Sequence, residues 1–112
     1  MKLQNSRIRI FVLIGVLFLG VFSVYAETAE EYFKSGYAYY NQGDFSKAIS
    51  DCTKAIEINP NLADAYNNRG VAYYGEKEYD KAWADVHKVE KLGQAVNPEF
   101  LKMLKEASER DK

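Results

Sequence analysis

The chain has 112 residues, of which 47% are hydrophobic and 28% charged, with a formal net charge of −1. Without a run of Lys or Arg, this balance excludes the basic face that a nucleic-acid binder needs. One cysteine, Cys52, leaves no internal disulfide, and that cysteine with one histidine, His87, cannot close a zinc site.

At the N-terminus, Lys2, Arg7 and Arg9 precede an uncharged, almost wholly apolar run from Ile10 to Ala26. Val24-Tyr25-Ala26 then places small residues at the two positions that a signal peptidase reads, so residues 1–26 have the three-part layout of a secretory signal peptide. Left uncleaved, the seventeen-residue run would serve as a short membrane anchor. With basic residues before the run and Glu27, Glu30 and Glu31 after it, the remainder faces outward in either case, and the chain is expected to be exported, periplasmic or secreted. Losing the leader removes Lys2, Arg7 and Arg9. That leaves twelve basic residues against sixteen acidic ones in a mildly acidic domain over 27–112.

Residues 29–62 and 63–96 carry one pattern twice. At an offset of thirty-four, Ala29, Tyr32, Gly36, Ala38, Tyr39, Tyr40, Lys47, Ala48, Asp51 and Lys54 meet identical residues, ten matches where chance gives roughly two. Within each unit the apolar and small residues fall at helical spacing: Tyr32, Gly36 and Tyr39 form one stripe, and Phe45, Ala48, Cys52 and Ala55 another. Gly43 suits a left-handed helix end and Asp44 the next helix start, while Asn59-Pro60-Asn61 stops the second helix. Thr28 and Glu31 have capping-box spacing. The pattern predicts helices near 28–41, 45–58, 62–75 and 79–92.

Gly36 and Gly70 fall inside predicted helices, at a cost of about 1 kcal/mol each relative to alanine. Paired with Ala48 and Ala82, they would let two backbones approach closely. Cys52 and Tyr32, Tyr39, Tyr66 and Tyr73 are expected in the core, and His87, aligned with Thr53, on the polar side. Asp51 and Asp85 follow Lys47 and Lys81 by four residues, which predicts exposed surface ion pairs and not a catalytic carboxylate pair.

A final helix over 97–110 is expected, with Asn97 as N-cap, Pro98 and Glu99 in its first turn and Phe100, Leu101, Leu104 and Ala107 as its apolar stripe. It would cap the stack, with Trp83 packing on it.

The period, the small residues and the aromatics together resemble the tetratricopeptide repeat family, over roughly residues 29–96. The second copy departs at its end, where Gly93-Gln94 replaces Asn-Pro. The resemblance implies an all-α solenoid of antiparallel helix pairs, five helices after the leader. The first helix of each pair would line a concave groove for a protein or peptide partner. Carried over, the groove positions are Phe33, Lys34, Tyr37, Tyr40 and Asn41, then Asn67, Asn68, Val71 and Tyr74. A clamp for a C-terminal carboxylate, known in some members, is not expected. Asn68 fits it, but Phe33 and Tyr37 stand where lysine and asparagine belong, and Pro98 where a later cation does.

Metal-ligand spacing, a Gly-x-Ser-x-Gly elbow and phosphate-binding glycine loops are all absent from the sequence. The expectation is a non-enzymatic exported interaction module with no cofactor, no catalytic or metal-binding residues and no nucleic-acid partner, touching membrane only through an uncleaved leader. The alternative is a structural module that self-associates or docks onto an envelope assembly, because two repeats fall short of the three that solenoids usually need.

Overall fold

The computed structural model describes residues 28–112, and the expected leader over 1–26 lies outside them. Among the described residues there is no strand, and five helices follow in order: α1 over 28–41, α2 Phe45–Ile58, α3 Ala63–Gly75, α4 Tyr79–Lys91 and α5 Pro98–Arg110. The breaks fall where the turn residues stand. Gly43 takes φ +76°, and the Asp44 side chain accepts from the Lys47 amide at 3.2 Å to cap α2. Asn59 ends α2 in an extended conformation and its side chain accepts from the Asn61 amide, turning the chain around Pro60. At α5, the Asn97 side chain accepts from the amides of Glu99 at 2.8 Å and Phe100 at 3.4 Å. Thr28 is helical and begins the described part of α1.

Loops this short make successive helices antiparallel neighbours. Helix α3 packs on both α2 and α4, and α5 on α4, giving an α-solenoid. The close approach predicted from small residues is present. A Cβ on Gly36 would lie 2.7 Å from the Cys52 Sγ and 3.2 Å from the Ala48 carbonyl oxygen, and one on Gly70 would lie 3.3 Å from the Asp85 Cβ. Gly75, which no stripe marks, does the same between repeats: a Cβ there would meet the Phe45 ring at 2.7 Å.

The repeated charges behave differently from the surface pairs expected of them. Lys47 and Lys81 pair with Asp44 at 3.7 Å and Glu78 at 2.9 Å, one turn back, and not with Asp51 and Asp85. Each also lies over a tyrosine of the first helix, Lys47 over Tyr39 at 5.2 Å and Lys81 over Tyr73 at 5.5 Å. Lys54 and Lys88 cover Tyr32 and Tyr66 in the same way, at 5.3 and 5.7 Å. The repeated lysines therefore shield ring faces. Tyr32, Tyr39 and Tyr73 are half-buried, and of the four tyrosines expected in the core only Tyr66 is buried.

Asp51 and Asp85 point inward, toward the first helix of their own repeat. Asp51 accepts from the Ser35 hydroxyl at 2.6 Å. Asp85, 4% exposed, is held by Arg69 through two bonds, Nε at 2.9 Å and Nη2 at 2.7 Å. Pairing four residues apart considers one helix alone; here the partner sits sixteen residues earlier on the neighbouring helix. Arg69 also donates to the Thr53 hydroxyl at 3.2 Å and lies over the rings of Tyr66 and Tyr73, so it ties α3 to both α2 and α4. The hydrogen bond to Asp85 raises its pKa further above an already high value.

The main cluster of buried apolar residues joins Tyr66, Ala82, Val86 and Val89 to Val96, Phe100 and Leu104 of the C-terminal segment, with Trp83 packed against it. The Trp83 Nε1 donates to the Ser108 hydroxyl of α5 at 3.4 Å. Cys52 is fully buried, and burial pushes its thiol up to about 11. His87 is exposed, with its ring 5.8 Å from that of Trp83.

Candidate functional site

An inner surface for binding needs first helices that turn their side chains to one open side, and the expected groove positions lie on α1 and α3. The structure draws three of them together. Tyr40 from the end of α1 and Asn67 and Val71 from α3 line a cleft of about 250 Å³. Its opposite wall comes from the start of α5: Asn97, Glu99, Phe100 and Met103. Tyr40 is positioned by a tilted ring contact with Phe45 at 5.9 Å. Phe100, 6% exposed, is braced by Tyr74, whose ring meets it edge-on at 5.9 Å. Tyr74 thus supports the wall from behind.

The remaining expected positions lie outside this cleft. Lys34 is exposed and pairs with Glu30 at 3.7 Å. Asn41, the last residue of α1, is exposed, and Phe33 is half-buried. Tyr37 is 51% exposed, a large ring standing in solvent. The Asn68 Nδ2 is fully buried with no hydrogen-bond partner among the described residues. Such a donor costs about 1–3 kcal/mol unless an acceptor arrives to meet it.

Sequence reasoning assigned α5 to capping and missed its part in the cleft. The signal was available in the period, since Phe100 stands thirty-four residues after Tyr66 and so occupies the place of a first helix. A second hollow of about 520 Å³ lies between the start of α4 and the end of α5, lined mainly by charged side chains such as Lys77, Glu78, Asp80 and Asp111. It includes no expected groove residue. Among the described residues no cluster of side chains is suited to hold a metal ion, and no helix is long and apolar enough to cross a membrane.

Helix pairs at a thirty-four-residue period, packed through paired small residues and open on the side of their first helices, define a repeat protein of one class. The described residues have a tetratricopeptide-repeat-like fold, and the TPR repeat family model matches residues 36–76. Among solved structures, the chain is similar to the first TPR of Spaghetti (RPAP3) bound to the HSP90 peptide SRMEEVD. The two share 27% identity at a TM-score of 0.64, over 73% of this chain and 64% of that one. It is also similar to the N-terminal domain of stress-induced protein-1 (STI-1) from C. elegans, at 32% identity and a TM-score of 0.58, over 62% of this chain and 54% of that one. The chain therefore spans less than two thirds of either relative. No curated protein matches it.

Proposed function

We propose that this chain is a non-enzymatic, exported protein-interaction module that holds a peptide or protein segment along the open side of α1, α3 and α5. The carrying observation is the cleft in which Tyr40, Asn67 and Val71 face α5, with the unpaired Asn68 amide nearby on α3. Asn67 offers an amide that can hydrogen-bond a peptide backbone, and Tyr37 supplies rigid apolar area. The peptide-bound state of the Spaghetti relative favours the same use of the fold. The acidic tail of that peptide is not the ligand proposed here, because Phe33 and Tyr37 stand at the clamp positions.

So short a groove should bury less than a standard interface, giving affinity on the order of micromolar. Replacing Tyr37, Tyr40 and Asn68 by alanine should abolish partner capture and leave helical content unchanged. Unaltered capture places the site elsewhere. Export rests on the leader pattern alone, and N-terminal sequencing of the protein recovered outside the cytoplasm tests it, with cleavage after Ala26 as the expected result. Sedimentation separates this reading from self-assembly: a stable dimer with the groove occluded would favour a structural module.

A further inference from the structure

Resting on that groove reading, we infer that the cleft between α3 and α5 selects a peptide that carries an apolar side chain with a basic residue close beside it. The apolar half of the argument is spatial. Val71, Phe100 and Met103 surround about 250 Å³, more than the roughly 150 Å³ of an engineered apolar cavity that accepts benzene, so one large side chain fits. Phe100 is fixed by Tyr74, whereas Met103, 41% exposed, is unbranched and adjusts to the shape of what enters.

The charge half comes from Glu99, the one ionisable side chain other than Tyr40 that lines the cleft. Glu99 and Met103 are four residues apart on α5 and share a face, so the carboxylate stands beside the apolar floor. It is exposed and forms no ion pair among the described residues, so its charge is open to a ligand. The start of α5 offsets part of its charge. Even so, no lysine or arginine lines this cleft to receive an acidic ligand. The oxygen of Asn97 is taken up by the helix cap, and Asn67 adds a neutral amide that serves either sign of ligand. The preference is thus opposite in sign to the Glu-Glu-Val-Asp end of the peptide bound by the Spaghetti relative.

The test is a displayed library of random peptides selected on the full-length chain, on Glu99→Gln and on Glu99→Lys, with helical content checked for each. The parent should enrich peptides carrying Leu, Met or Phe with Lys or Arg within two positions. For one such synthetic peptide, Glu99→Gln should weaken binding about two- to fivefold, the scale of one exposed charge pair, and Glu99→Lys should turn the enrichment toward Asp or Glu. Met103→Ala should weaken all these peptides alike, whatever their charge. Enrichment that is acidic in the parent, or unmoved by Glu99→Lys, overturns this specificity while leaving the groove reading intact. Failure to enrich any peptide overturns both.

Discussion

The two repeats share ten identities, yet they hold their helices together by different means. In the first, Asp51 meets a serine hydroxyl; in the second, Asp85 meets the fork of Arg69, which also reaches Thr53 and lies over two tyrosine rings. In the first, the small-residue contact is tight, with Gly36 against Cys52; in the second, Gly70 has more room. The first turns through Gly43 at φ +76°, and the second through Lys77 at φ +62°, a conformation side chains adopt at a cost. The comparison teaches that a repeat preserves the place of an interaction more faithfully than its chemistry.

The largest test removes each carboxylate. Asp85→Ala leaves a mostly enclosed guanidinium unpaired and should cost about 3 kcal/mol, against about 1 kcal/mol for Asp51→Ala, where only a hydroxyl loses its acceptor. Urea unfolding measures both, and equal losses would erase the distinction between the repeats. Next, Gly36→Ala should cost about 2 kcal/mol through overpacking against Cys52 and the Ala48 carbonyl. Gly70→Ala should come out near neutral, because a 3.3 Å contact is offset by the higher helix propensity of alanine.

Cys52 sharpens the comparison further, since Val86 in its place cannot ionise. Burial raises the thiol from 9.0 to about 11, so it stays protonated in the folded chain while the unfolded chain gives up its proton. The stability contributed by the neutral thiol is whole below pH 9 and is lost as pH rises toward 11, by roughly 2 kcal/mol. Unfolding measured beside Cys52→Ala isolates this loss from other groups, and parallel pH curves would refute it. Native Cys52 should also resist iodoacetamide at pH 8 until the chain is unfolded. The smallest effect is at the turns: Lys77→Gly should gain about 1 kcal/mol by relieving the left-handed strain, and Gly43→Lys should lose a similar amount. Thermal unfolding distinguishes them by opposite shifts in Tm.

By itself the sequence determined the helices, their breaks and their pairing, because period, proline, glycine and cap residues act over a few positions along one strand of chain. Gly43, Asp44, Pro60 and Asn97 announce their roles through local geometry, and Gly36 with Ala48 announces a close contact through size alone. The partners of charged groups were decided only in three dimensions. Asp51 and Asp85 each follow a lysine by four residues and instead accept from a donor on the neighbouring helix, while Lys47 and Lys81 pair one turn back with Asp44 and Glu78 and also lie over Tyr39 and Tyr73. The cleft was decided there too. Tyr40, Val71 and Met103 line one space through the packing of α5 onto α4, which sets the distance between segments that local pattern cannot measure.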